Sequence, residues 1–293
     1  MNQLATLINS QRNQEVTQVV TGKPLNIGDG FEALSFKYDQ FDGLIDPLVM
    51  MDHYVMTRPT FGAHPHAGMS AVSILFEDSE GVFNNRDSLG NNIDLLPGDA
   101  YWLKAGSGAV HDEKPTQGSR THGLQIFVNL PRRNNQDAPA SKHVSAQAIP
   151  VITGEGYRVR VVFGESNGVC GASSPALPFT ALDALLESGS GYSHLVGANN
   201  SLMVYAVSGE VDVSLPGSKG IHLPANRALA IHIGKDTDKV NLSSNNQAHV
   251  VILQGAPVQE QFVQAGPFVM NSLTEIQQVT AAFDAGLLGK IAS

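Results

Sequence analysis

Short apolar stretches separated by Gly, Pro, Asn and Asp run through the whole of this 293-residue chain. Typical ones occupy residues 70–76 (SAVSILF), 124–128 (LQIFV) and 249–253 (HVVIL). They are rich in β-branched and aromatic residues and are shorter than most helices, which indicates strands. The polar segment 84–92 (NNRDSLGNN) and the Pro97-Gly98 pair predict turns. Many short strands joined by turns predict an all-β barrel or sandwich.

The second half of the chain repeats the style of the first, which indicates two such units. Residues 202–215 (LMVYAVSGEVDVSL) predict two strands around a Ser-Gly turn. Residues 131–139 (PRRNNQDAP) are polar and bounded by proline, and they are the predicted linker. We therefore predict domains at 1–135 and 136–293.

Two segments favour a helix on local grounds. Ser272-Leu273-Thr274-Glu275 fits a capping box, in which the Ser and Glu side chains satisfy free backbone N–H groups. Apolar residues follow it at helical spacing, namely Ile276, Val279, Phe283 and Leu287. A short C-terminal helix docked on a barrel is therefore predicted. Ala181–Glu187 (ALDALLE) also has helical propensity but lies among strands, so its pattern is ambiguous.

The charge balance argues against some classes of partner. Lys and Arg number 18 against 27 Asp and Glu, a net charge of −9, and the densest basic spot is Arg132-Arg133. Direct nucleic-acid binding and binding to anionic membranes are disfavoured. The single cysteine, Cys170, cannot form an intrachain disulfide. With no secretory pattern at the start and no long apolar run, we expect a soluble, cytoplasmic protein, with a monomer favoured.

Two histidine-containing pairs are the informative chemical feature. His64 and His66 are two residues apart, as are His111 and Glu113, and residues at that spacing face the same way in a strand. An HxH pair alone is weak evidence, but a barrel could bring the two pairs together. Three imidazoles and one carboxylate would suit Fe(II), Zn, Ni, Cu or Mn. Glu113 could be a ligand, a general base or both.

Other candidates have a structural explanation at least as good as a functional one. His53 and His122 could lie near a pocket, although structural roles are favoured. Asp112 points away from Glu113 and is expected to be solvated or to bond in a turn, and Asp99 is expected to form a turn. Structural or packing roles are expected for His143, His194, His222, His232, His249, Tyr101, Trp102, Phe268 and Met270.

The longest motifs resemble the pirin family of the cupin superfamily. They are HPHAG at 64–68, LLPGDAYWLKAGSGAVHDE at 95–113, HGLQIFVNLP at 122–131 and GPFVMN at 266–271, within a resemblance that spans roughly residues 25–290. The resemblance implies a bicupin: two jelly-roll-like β-barrels packed face to face, with a metal in the N-terminal barrel only. It places the metal ligands at His64, His66, His111 and Glu113, makes Fe(II) the expected metal, and implies a strand at Ala181–Glu187.

The resemblance also implies two classes of function. One is a quercetin 2,3-dioxygenase-type oxygenase that uses O2 on a flavonol-like aromatic, with Glu113 taking the hydroxyl proton and an apolar pocket between the barrels. The other is an iron-dependent regulatory protein that acts as a transcriptional or metabolic cofactor through protein partners. The residues after HPH depart from the family, since Ala67-Gly68-Met69-Ser70 stands where many pirins have Arg-Gly-Phe-Glu. The charges near the predicted metal therefore differ.

Overall fold

The computed structural model describes residues 7–9 and 14–291, more than half of them in strands. The strands of the first half are β1 (Leu7–Asn9), β2 (Gln14–Val16), β3 (Val20–Thr21), β4 (Lys23–Ile27), β5 (Phe31–Lys37), β6 (Leu48–Met56), β7 (His64–His66), β8 (Met69–Leu75), β9 (Phe83–Asp87), β10 (Asn92–Leu95), β11 (Ala100–Lys104), β12 (Ala109–Pro115), β13 (Thr121–Asn129) and β14 (Ala140–Val144).

The strands of the second half are β15 (Val151–Gly154), β16 (Tyr157–Phe163), β17 (Glu165–Ser166), β18 (Val169–Cys170), β19 (Phe179–Leu186), β20 (Ser190–Val196), β21 (Ser201–Ser208), β22 (Val211–Ser214), β23 (Ile221–Leu223), β24 (Arg227–His232), β25 (Asp238–Ser244), β26 (Ala248–Gly255), β27 (Val263–Ala265) and β28 (Phe268–Met270). The helix α1 spans Leu273–Asp284, and 3-10 turns lie at Tyr38–Phe41 and Ala146–Ala148. Among the described residues, no helix has the length and apolar character that crossing a bilayer requires.

Each half builds a barrel from one large and one small antiparallel sheet. In the first barrel the large sheet has the order β14-β11-β8-β13-β6-β5-β4 and the small one β10-β9-β12-β7. In the second, the large sheet runs β1-β2-β24-β21-β26-β19-β16-β15 and the small one β20-β25-β22-β23. The predicted fold, two cupin barrels with a C-terminal helix, is confirmed.

The two large sheets pack against each other through a shared apolar core. Trp102 of the first barrel contacts Phe163 and Phe179 of the second, with ring centroids 5.0 and 5.4 Å apart. Both faces of these sheets are buried, which explains why a strand such as β8 (MSAVSIL) is apolar without alternation. Adjacent residues face opposite ways, so Tyr101 packs inside the first barrel while Trp102 packs between the barrels.

Segments cross between the two barrels. Strands β2 and β3 pair with β24 of the second barrel, whereas β14 pairs with β11 of the first. The predicted linker is held in place, since Asn135 donates to Asn271 at 2.9 Å. The first half therefore supplies strands to the second barrel's sheet, whereas β14 lies beyond residue 135 but belongs to the first barrel's sheet; the boundary between 135 and 136 stays a prediction.

The helix and the ambiguous segment follow tertiary packing. β19 includes Ala181–Leu186 and pairs with β16 and β26, so the strand is confirmed and sheet pairing overrides local propensity. The Ser272 hydroxyl accepts a hydrogen bond from the Glu275 N–H at 3.2 Å, as the capping box predicts. Because the helix ends at Asp284, its period is broken there, and Leu288 is buried instead of the predicted Leu287.

Candidate metal centre

Three histidines from two paired strands meet inside the first barrel. Strand β7 presents His64 and His66, and β12 pairs with it so that His111 lies directly opposite His64. The Nε2 atom of His111 is 2.9 Å from the Nε2 atoms of both His64 and His66. The three rings offer ligand atoms within 4.8 Å of one another, which is the convergence that a single metal ion requires.

Hydrogen bonds on the far side of two rings fix their orientation. His64 Nδ1 lies 2.9 Å from the Gly62 carbonyl oxygen, and His66 Nδ1 lies 3.0 Å from that of Pro267. Each Nδ1–H donates to its carbonyl, which leaves an Nε2 lone pair directed at the shared point. His111 can offer its Nε2–H to only one of them. One of the two Nε2 lone pairs therefore has no hydrogen-bond donor. A metal ion would accept the lone pairs of all three rings at once, so these residues fit a metal.

The protonation states of the three imidazoles also favour metal binding. Burial lowers the pKa of all three imidazoles, that of His66 to about 3. The rings are therefore neutral at physiological pH, which is the form that binds metals. The Nδ1 atom of His111 is buried and has no hydrogen-bond partner within the described part of the chain.

Glu113 lies beside this group without being one of its members. Its Oε2 atom is 3.8 Å from His111 Nδ1, and its Oε1 atom accepts a hydrogen bond from the Ser73 hydroxyl at 2.8 Å. Burial raises the pKa of the Glu113 carboxyl to about 7, although the Ser73 hydrogen bond opposes the shift. The predicted role of Glu113 as a fourth ligand stays a prediction.

A cavity of about 480 Å³ opens beside the three histidines. Its walls are mostly apolar and aromatic, with a few polar groups, and its lining includes Leu25, Phe31, Met50, Asp52, Tyr54, Met56, Phe61, His64, His66, Phe83, Glu113, Gln125, Phe127, Gln264, Gly266 and Pro267. The apolar pocket was expected between the barrels, and the cavity beside the histidines does not lie there. The Trp102 core fills that interface, and the cavity lies within the first barrel.

The C-terminal segment closes one side of this cavity. Val269 N–H donates to the Ala67 carbonyl at 3.0 Å, beside the left-handed Gly68 at φ +75°. A Cβ atom on Gly68 would lie 1.8 Å from the Val269 carbonyl oxygen, so only glycine allows this approach. Phe268 and Met270 pack in the apolar cluster beneath α1, as predicted. No pattern in the sequence indicated that the carbonyl of neighbouring Pro267 would contact His66.

His53 and His122 belong to the contact between barrels. His122 Nδ1 is 2.8 Å from Asp78, its Nε2 is 2.7 Å from His53 Nε2, and His53 Nδ1 is 2.5 Å from the Tyr205 hydroxyl. Their hydrogen bonds form a continuous chain that ends in the second barrel. The expected structural role of both histidines is therefore supported.

The remaining candidates have structural partners. Asp112 faces away from Glu113 as predicted, but it is buried and paired with Arg86 and Lys114 at 2.8 and 2.9 Å, so the expectation that it is solvated or bonded in a turn is wrong. Asp99 accepts from the Leu96 N–H at 3.1 Å and forms the expected turn. Polar partners within hydrogen-bond distance hold His143, His194, His222, His232 and His249.

Comparison with known proteins agrees with this geometry over nearly the whole chain. The family model described as Pirin matches residues 9–128, and the Pirin C-terminal cupin domain matches residues 181–289. Pirin of Mus musculus is 32% identical over 242 residues, covering 82% of this chain and 81% of that protein.

Two further proteins extend the comparison. A pirin-like protein of Solanum lycopersicum is 30% identical over 280 residues, covering 95% of this chain and 94% of the relative. The crystal structure of quercetin 2,3-dioxygenase from Acinetobacter baumannii has a TM-score of 0.82 at 25% identity, covering 95% of this chain and 99% of that one.

Proposed function

Because this chain belongs to the pirin family of bicupin proteins, we propose that it is a metal-dependent oxygenase of the quercetin 2,3-dioxygenase type. The substrate class is a flavonol-like aromatic, with O2 as the second reactant. One observation carries the proposal: three neutral imidazoles converge at the wall of an aromatic-lined cavity that also contains a buried carboxylate. The similarity to a solved quercetin 2,3-dioxygenase supports the substrate class.

In this proposal His64, His66 and His111 hold one divalent metal, and Glu113 completes the set. Fe(II) is the expected metal, and the nitrogen and oxygen donors also suit Ni, Cu, Mn or Zn. The chemistry that a bound divalent ion supplies at such a site is Lewis acidity and a template for two reactants. The carbonyls of Gly62 and Pro267 keep two of the rings oriented.

Side chains of the cavity take up the substrate proton and bind the aromatic substrate. Ser73 donates to Oε1 of Glu113, which leaves Oε2 to bind the metal and, in turn, to receive the proton of a substrate hydroxyl. A carboxylate within reach of a substrate hydroxyl suits the role of a general base. Phe31, Phe83 and Phe127 line the cavity, contact an aromatic substrate and exclude water.

Metal content and oxygen uptake test the proposal together. We expect near one equivalent of metal in wild type and little in His111→Ala, whereas His222→Ala, a change at an exposed histidine, keeps wild-type metal. Oxygen uptake with quercetin should follow metal content. No metal after anaerobic Fe(II) loading would refute the site. Bound metal without uptake on any flavonol would refute the oxygenase and favour the alternative, an iron-dependent regulatory protein that acts through protein partners.

A further inference from the structure

A row of polar side chains crosses the inner face of the first barrel's large sheet. Ser35 lies opposite Asp52, Asp52 opposite Gln125, and Gln125 opposite Ser73. Residues directly opposite each other share a face of the sheet, so the row lies along one wall. Ser73 donates to Glu113, which anchors one end beside the metal centre. Asp52 is two strand spacings from Ser73, about 10 Å away.

Two buried polar atoms near the Asp52 end of this row are left unsatisfied. Asp52 and Tyr54 both line the cavity and are only 9% and 2% exposed. Neither the Asp52 Oδ1 atom nor the Tyr54 hydroxyl has a hydrogen-bond partner among residues 7–9 and 14–291. Phe31 stacks on the Tyr54 ring with centroids 5.6 Å apart and limits its movement. Buried polar groups are normally paired, so a ligand that pairs these two explains them.

We propose that Asp52 and Tyr54 bind a second hydroxyl group of the substrate, remote from the group that reacts at the metal centre. This inference rests on the proposed function and narrows its substrate class. The Asp52 carboxylate accepts from a phenolic hydroxyl, and the Tyr54 hydroxyl can donate to the same oxygen. The preferred substrate is therefore an extended aromatic that carries one oxygen substituent for the metal centre and a second, remote one for Asp52 and Tyr54.

Two flavonols that differ in remote hydroxyl groups test the inference by binding alone. Quercetin carries hydroxyl groups on its outer rings, whereas 3-hydroxyflavone carries only the hydroxyl beside the carbonyl. Titration calorimetry would be run without oxygen on full-length protein loaded with Fe(II), so no turnover occurs. The variants are Asp52→Asn and Tyr54→Phe, which preserve side-chain shape. Tyr157→Phe removes a hydroxyl outside the lining of this cavity and is the matched control.

We expect wild type and Tyr157→Phe to bind quercetin at least about 10-fold more tightly than 3-hydroxyflavone, the effect of one good hydrogen bond to a charged group. In Asp52→Asn and Tyr54→Phe this ratio should fall toward one while metal content is retained. A variant that retains its metal has a folded barrel. If Asp52→Asn does not fold, Tyr54→Phe still tests the inference.

The result that overturns the inference is an unchanged ratio in both variants when the wild type binds both flavonols. That outcome leaves the proposed function intact. If the metal-loaded wild type binds neither flavonol, the proposed function fails and the inference fails with it, so the two failures are distinguishable.

Discussion

Substituting Gly68 by alanine should detach the C-terminal segment from the metal-binding strand. Its φ of +75° costs an alanine roughly 1–2 kcal/mol by itself. The added Cβ would lie 1.8 Å from the Val269 carbonyl oxygen, so the segment must move by more than about 1 Å to reach van der Waals distance. Such a shift breaks the hydrogen bonds from Val269 to Ala67 and from His66 to Pro267, both now 3.0 Å long.

The loss of these two hydrogen bonds adds about 2 kcal/mol, so the total is about 3–4 kcal/mol in the free energy of unfolding. Metal affinity should also fall about 10-fold, because the His66 ring loses the carbonyl that orients it. Gly118→Ala is the matched control, since Gly118 has φ +81° and an added Cβ would meet nothing within 4 Å. Urea unfolding and metal titration on both variants would measure the difference. Equal destabilisation of the two variants, with equal metal affinity, would refute the reasoning.

Three further predictions concern stability. Burial lowers the pKa of His53 from 6.5 to about 3, so the unfolded chain takes up the proton first and stability is lost as pH falls below 6.5. His53→Gln should therefore lose about 2 kcal/mol less than wild type between pH 7 and pH 5 in urea unfolding. Leu288→Ala should cost about 2 kcal/mol in thermal unfolding, against almost nothing for Leu287→Ala, because these side chains are 8% and 75% exposed. Arg160→Ala, which leaves His249 as the remaining partner of the buried Asp183 carboxylate, should cost about 3 kcal/mol, whereas Arg158→Ala at an exposed ion pair should cost less than about 1 kcal/mol. Equal costs within either matched pair, or an unchanged pH slope, would contradict the corresponding prediction.

The alternation of residues along a strand predicted which side chains meet at the candidate metal centre, but not their distances. The spacing of His64 and His66 gives one face of a strand in any extended chain, and so does that of His111 and Glu113. That alternation correctly grouped the three histidines. It could not fix how far the Glu113 carboxylate lies from their meeting point, because that distance depends on the Ser73 hydroxyl of another strand.

The position of the cavity was not predictable from the same patterns. Strand β6 reads LVMMDHYVM, a nearly continuous apolar run in which no residue indicates which face turns inward. Only its pairing with β5 and β13 shows that Met50, Asp52, Tyr54 and Met56 line the first barrel's cavity. The sequence therefore suggested Glu113 as the polar group of the pocket and missed Asp52 and Tyr54.

The second barrel repeats the strand pairing of the first barrel, but its His194 does not face another histidine. Its strands β20 and β25 form an antiparallel pair, as β7 and β12 do, but His194 lies opposite Val240, whereas His64 lies opposite another histidine, His111. His194 Nδ1 is 2.7 Å from the Ser166 hydroxyl, and its Nε2 is 2.6 Å from Gln254 Oε1. Both ring nitrogens are thereby satisfied within the protein, so no lone pair is left for a cation. The facing imidazoles that make His64, His66 and His111 a candidate metal site therefore have no counterpart at His194.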